Sequence, residues 1–128
     1  MVLEAEPSGQ NPAARAAIEA AHRLGAASLL IVSSDLPLVS AGALREVVGA
    51  AAGTGPSVVA AAATGRGGTN ALFMRPPGVV GTFFGDDSLA RFEHDARARG
   101  VDFRVVELPE LALDLDEPSD LELLAQRR

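Results

Sequence analysis

The stretch Ser28-Leu29-Leu30-Ile31-Val32-Ser33-Ser34-Asp35-Leu36-Pro37-Leu38 decides the fold. From Leu29 to Val32 every residue is a branched aliphatic with no polar alternation, the pattern of a strand covered on both faces, as in the centre of a parallel sheet. Asp35 falls at the carboxyl end of the run, and Leu36-Pro37 breaks it. A carboxylate in that place points into the crevice where open α/β sheets receive ligands.

The segments on either side fit the same architecture. Upstream, Asn11 as cap, Pro12 at the first helical position and Gly25 as stop bound an alanine-rich helix reaching Leu24. Downstream, Ser40 caps a second helix to about Ala51, and Gly53-Thr54-Gly55-Pro56 ends it before an apolar strand, Ser57 to Ala62. A glycine-rich loop, 64–69, leads to a short strand, Asn70 to Met74, stopped by Pro76-Pro77-Gly78. Asp86 or Asp87 then opens a helix ending at Gly100. Phe103 to Leu108 reads as an edge strand, Leu111 to Leu115 as another short strand, and Pro118 starts a terminal helix. Alternating helices and strands predict a single domain, residues 1–128, with a three-layer α/β/α sandwich and a mainly parallel sheet. The chain opens on a short polar segment, Glu4 to Gln10, running into a helix, so the strand and phosphate-binding loop that usually begin such sheets are expected to be missing.

Composition narrows the function. Apolar residues make up 48% of the 128, yet there are only 5 Phe and no Trp or Tyr, so the core must be filled by close-packed aliphatics. Without cysteine there are no disulfides, thiolate metal ligands or cysteine nucleophiles, and a reducing cytoplasm is the expected setting. No apolar run approaches the roughly 20 residues that span a bilayer, so no membrane partner is expected. A net charge of −6 argues against a nucleic-acid partner. All 11 positive side chains are arginine; lysine, a common point charge for phosphate, is absent.

Several residues are candidates for chemistry. Asp35 could help hold a divalent cation, or simply close a turn. In Asp114-Leu115-Asp116-Glu117-Pro118 the two aspartates point to opposite faces if extended, so one of them, preferentially Asp116, would share a site with Asp35; Asp114, Glu117 and Asp120 read better as charges at a helix start. Gly65-Arg66-Gly67-Gly68-Thr69-Asn70 offers backbone N–H groups, a hydroxyl and an amide to an anion, but on its own reads more readily as a hairpin turn. Gly85-Asp86-Asp87-Ser88 could hold a phosphate at a helix start, or merely cap the helix. His22 and His94 form no triad or zinc cluster and are expected at the surface.

Taken in order, Ser33-Ser34-Asp35-Leu36-Pro37-Leu38, Gly67-Gly68-Thr69-Asn70-Ala71-Leu72, Arg75-Pro76-Pro77, Phe84-Gly85-x-Asp87-Ser88 and Leu113-Asp114-Leu115-Asp116-x-Pro118 resemble one family. It is that of 2-phospho-L-lactate guanylyltransferase and its relative using phosphoenolpyruvate, enzymes of coenzyme F-420 biosynthesis; Gly9-x-Asn11 resembles the family's segment before its helix. The resemblance implies a nucleotide-diphospho-sugar transferase (MobA-like) fold, here lacking its N-terminal portion. It also implies Mg²⁺-dependent transfer of GMP from GTP to the phosphorylated acid, with release of pyrophosphate. By position, Asp35 and Asp116 would bind Mg²⁺, Thr69, Gly85 and Ser88 with Gly68 and Asn70 would hold the acid, and Gly9 and Asn11 would lie near the guanosine.

Two residues depart from the family pattern: Phe92 stands where these enzymes usually have His, and Glu117 where Thr precedes the proline. The family's basic loop for the triphosphate has no counterpart, consistent with the absence of lysine, so a completing N-terminal partner is expected; the sheet edge left where the missing strands belong also favours a homo-oligomer. Two other functions remain open at this point. One is a molybdenum-cofactor nucleotidyltransferase of the same fold, and the other a non-catalytic remnant that binds phosphorylated acids.

Overall fold

The structure is a computed structural model that describes residues 2–5, 10–33, 40–51, 53–63 and 67–108. Its elements are β1 (Val2–Ala5), α1 (Gln10–Arg23), β2 (Leu29–Ser33), α2 (Ala41–Gly49), β3 (Ser57–Ala62), β4 (Thr69–Arg75), α3 (Ser88–Ala98) and β5 (Asp102–Val106). The expected strand 111–115, the terminal helix, Asp35, Asp116 and Gly9 lie outside the described residues.

The five strands form one sheet in the order β1-β2-β4-β3-β5. β1 pairs parallel to β2 and β5 parallel to β3, while β4 lies antiparallel between β2 and β3. Four described strands therefore run one way and β4 alone runs back, so the sheet is mixed, with a mainly common strand direction. The insertion of β4 matters for function. It brings the start of β4 to the same edge as the carboxyl ends of its neighbours, with Val32 opposite Ala71, Ala62 opposite Thr69 and Ala61 opposite Val106.

β1 corrects the expectation that the chain runs from a polar segment straight into its first helix. Val2–Ala5 is too short and too mixed to show a period, and its backbone bonds come from β2 rather than from its own sequence. With α1 it forms a β1–α1–β2 unit, a parallel pair joined by a helical crossover.

Residue alternation along the strands separates two cores. On one face Leu29, Ile31, Val58, Ala60, Leu72 and Met74 pack with Ala14 and Ala21 of α1 and Phe92 and Ala96 of α3. On the other, Leu30, Val32, Val59, Ala61, Ala71 and Phe73 pack with Ala43 and Val47 of α2. That is the expected three-layer α/β/α sandwich, with small side chains on the helices allowing close approach to the sheet. Ser40 caps α2 by accepting from the Ala43 N–H at 3.1 Å. α1 and α3 both end in paired backbone bonds that close over a glycine: Ala26 N–H to Ala21 O with Gly25 N–H to His22 O, and Val101 N–H to Ala96 O with Gly100 N–H to Arg97 O.

Candidate active site

The site is built at the edge where β2 ends and β4 begins. Between Ala61 and Ala62 the β3–β4 register shifts, because β4 carries one extra residue: Ala61 faces Ala71, yet Ala62 faces Thr69, and Asn70 stands between. Leu72 and Met74 point to the α1/α3 face, so regular alternation would turn Thr69 towards α2. The bulge re-aims it, as bulges next to functional sites commonly do. Thr69 is instead joined to Ser88 at the start of α3 by a hydrogen bond of 2.9 Å between the hydroxyl oxygens, with Ser88 fully buried and Thr69 5% exposed. Two hydroxyls carry two O–H donors and their mutual bond uses one, so the pair retains a donor for a ligand oxygen. Asn70 is buried beside them.

The glycine loop and the start of α3 are pressed together. The Leu89 N–H donates to Gly67 O at 3.0 Å, and the Ser88 N–H to Gly85 O at 3.2 Å. Gly67 has φ +69, and a Cβ there would sit 3.4 Å from an Asp87 carboxylate oxygen and 3.5 Å from the Asp87 Cα. A side chain at this position would meet Asp87 at ordinary contact distance but would be strained by the positive φ. Gly85 has φ +123, a region that a residue with a Cβ rarely enters. Asp87, expected to open the helix as a cap, has φ 61, and its side chain makes no cap hydrogen bond. The start of α3 is thus positioned by the Gly67 and Gly85 carbonyls, and the Asp87 carboxylate takes no part in capping it.

Phe92 accounts for one departure from the family pattern. It is fully buried and meets Phe83 and Phe84 edge to face, with ring centroids 5.6 and 5.2 Å apart. A polar ring at this position would be buried among aromatics, whereas Phe92 anchors the loop that leads to Gly85. Asn11 was expected as the cap of the first helix. It lies instead within the first turn of α1, and its side chain reaches across to the Phe84 backbone: Nδ2 donates to Phe84 O at 3.2 Å, and the Phe84 N–H donates to Oδ1 at 2.7 Å. His94 is exposed, and so is most of His22, whose Nε2 lies 2.8 Å from Pro77 O.

Of the residues singled out from sequence, the structure brings Gly68, Thr69, Asn70, Gly85 and Ser88 to one edge of the sheet, with Asn11 attached to it through Phe84. β2, which Asp35 follows by two residues in sequence, ends at that same edge. Among the described residues there is no group of three or more His, Cys, Asp or Glu side chains placed to hold a metal, and no helix long and apolar enough to cross a membrane. Sequence reasoning missed the bracing of the site by Phe83, Phe84 and Phe92. The spacing of Phe92 four residues after Ser88, one turn along the same helix face, was the available signal.

The α/β/α sandwich built on this sheet is a fold shared with a nucleotide-diphospho-sugar transferase. A solved structure described as a nucleotide-diphospho-sugar transferase from Desulfovibrio desulfuricans G20 matches with a TM-score of 0.69, covering 88% of this chain and 49% of that one at 18% identity. Within that fold the relationship is closer to one group. Residues 2–126 match the family described as "Guanylyl transferase CofC like", and the chain belongs to that family. It is 42% identical over 122 residues to phosphoenolpyruvate guanylyltransferase of Rubrobacter xylanophilus, across 93% of this chain and 58% of that protein. To the enzyme of the same name from Sphaerobacter thermophilus it is 39% identical over 117 residues, across 91% of this chain and 56% of that one. It is also 35% identical over 122 residues to 3-phospho-D-glycerate guanylyltransferase of Phenylobacterium zucineum, across 94% of this chain and 55% of that one. The chain thus spans little more than half the length of the curated relatives it matches.

Proposed function

We propose that this chain forms the acid-binding part of a guanylyltransferase that transfers GMP from GTP to the phosphate of a three-carbon acid. Phosphoenolpyruvate or 2-phospho-L-lactate is the acceptor, as in coenzyme F-420 biosynthesis, in a cytoplasmic protein. The observation that carries the reading is the Thr69–Ser88 hydroxyl pair, buried yet with a donor to spare, against the glycine loop and the helix start at the ligand-binding edge of the sheet. These groups suit a phosphorylated carboxylic acid: a hydroxyl donor for its oxygens, and a helix dipole that favours negative charge. In this reading Gly68, Thr69, Asn70, Gly85 and Ser88 hold the acid and Gly9 lies on the guanosine side, while the Asn11 carboxamide is engaged at both ends by the Phe84 backbone.

The reaction needs no covalent enzyme intermediate. An oxygen of the acid's phosphate attacks the α-phosphorus of GTP, a new P–O–P linkage forms, and the bond to the β-phosphate breaks to release pyrophosphate. The protein's contribution is alignment of the two phosphates and neutralisation of charge. Mg²⁺, when bound, would neutralise the charge on the transferring group; Asp35 and Asp116 would hold it, and their hard carboxylate oxygens suit that ion. With no lysine in the chain, the grip on the triphosphate would come from a further segment or a separately encoded partner.

The name of the Phenylobacterium relative favours one further acceptor, 3-phospho-D-glycerate. The test is pyrophosphate release from GTP and Mg²⁺ with each of the three acids, using this chain and the product of its complete reading frame. Release with one acid, lost in Asp35→Ala and Asp116→Ala, supports the reading. No release with any acid from either product overturns it.

A further inference from the structure

The face of α1 formed by residues 11, 15, 18 and 22 runs antiparallel along the segment that joins β4 to α3. Asn11 bonds Phe84 at both backbone atoms, Arg15 donates to the Thr82 hydroxyl at 3.3 Å, and His22 Nε2 meets Pro77 O at 2.8 Å. Between them Gly78, at φ +79, lies so close that a Cβ would stand 3.0 Å from Ile18 Cγ2. The spacing i, i+4, i+7, i+11 is a single helix face, so one face of α1 fixes this connection from end to end.

We propose that Asn11 is a positioning residue for the acid-binding turn, holding the Phe84–Gly85 backbone in the shape that receives the phosphorylated acid. A short chain of bonds links Asn11 to the acid turn. Asn11 satisfies both the N–H and the C=O of Phe84, in a segment with no strand partner to do so. The Phe84 ring is held separately by Phe92. With both ring and backbone anchored, the next residue, Gly85, presents its carbonyl to the Ser88 N–H, and the Ser88 hydroxyl donates to Thr69. A carboxamide has a donor and an acceptor in one plane, which is what a two-point bond to a peptide unit needs; aspartate keeps only the acceptor and alanine neither. The start of α1 is thereby tied mechanically to the acid site. The proposal rests on the reading that Thr69, Gly85 and Ser88 hold the acid.

The test compares wild type, Asn11→Ala, Asn11→Asp and, as a control on the same helix face far from the turn, His22→Ala. Amide hydrogen exchange is read without ligand, and binding of phosphoenolpyruvate and of GTP is read by calorimetry. In Asn11→Ala the Phe84 and Gly85 amides exchange faster and phosphoenolpyruvate affinity falls about tenfold, the order expected for losing a two-point hydrogen bond. GTP affinity is unchanged, Asn11→Asp lies between, and His22→Ala lowers Tm without weakening the acid. The proposal is overturned if Asn11→Ala weakens GTP and spares the acid, or if His22→Ala weakens the acid equally. Should wild type bind no acid, the acid-site reading fails by itself. Exchange at Phe84 and Gly85 then decides the positioning claim, and unchanged exchange overturns it.

Discussion

The two ends of β4 are made from similar materials and do different things. At its carboxyl end Arg75 donates from Nε to Gly55 O and from a terminal nitrogen to Gly53 O, both at 2.9 Å, and its guanidinium stands 5.9 Å from the Phe73 ring centroid. A polar side chain there reaches a glycine-rich loop and ties it down. At the amino end Thr69 also meets a glycine-rich loop and a polar partner, but the hydroxyl pair is buried and keeps a donor over. Glycines and polar residues at a strand end therefore do not by themselves mark a site. What marks the amino end is a pair of buried hydroxyls from two different elements, β4 and the start of α3, bonded to each other at the edge where the other described strands end.

Substitutions can break or sharpen that contrast. The largest effect is expected from Phe92→Ala, which leaves a cavity under Phe83 and Phe84. Unfolding free energy should fall by about 3–5 kcal/mol in denaturant titration, and acid binding should fall with it because the Gly85 turn loses its anchor. This sets the standard for a non-selective loss. Next, Ser88→Ala and Thr69→Val should weaken phosphoenolpyruvate binding by roughly 10- to 100-fold in calorimetry, the worth of a hydrogen bond to a charged group, while stability changes by only about 1 kcal/mol. Arg75→Ala should show the opposite profile, costing about 1–2 kcal/mol of stability and leaving acid affinity unchanged. If Arg75→Ala weakened the acid as much as Ser88→Ala, the two ends would not be functionally distinct. The smallest effect belongs to the exposed Glu93–Arg97 pair on α3, an i,i+4 bridge at 2.8 Å. Arg97→Ala should change stability by no more than about 0.5 kcal/mol.

Most of the fold was legible because its signals are local. The aliphatic run of β2, the Ser40 cap and the glycines that end α1 and α3 each carry a physical reason within a few residues. β1 was not legible, since four residues including Glu4 have no usable period and owe their extended form to β2. Nor was the reversed direction of β4, because the same apolar residues suit parallel and antiparallel neighbours and the pairing is settled at long range. For the site, Gly67 to Asn70 and Gly85 to Ser88 each admitted an ordinary turn or cap, and only their order along the chain pointed to a shared function. The bulge at Asn70 and the reach of Asn11 to Phe84 depend on tertiary placement and had no sequence signal.

The central claim is that phosphorylated acid binds at the amino end of β4. Titrating phosphoenolpyruvate into ¹⁵N-labelled protein and following the backbone amides tests it most directly, because glycines stand at both ends of the strand. Shifts are expected at Gly67, Gly68, Gly85 and Ser88, with Gly53, Gly55 and Arg75 unmoved. Shifts confined to Gly53, Gly55 and Arg75, or none at saturating acid, would contradict it.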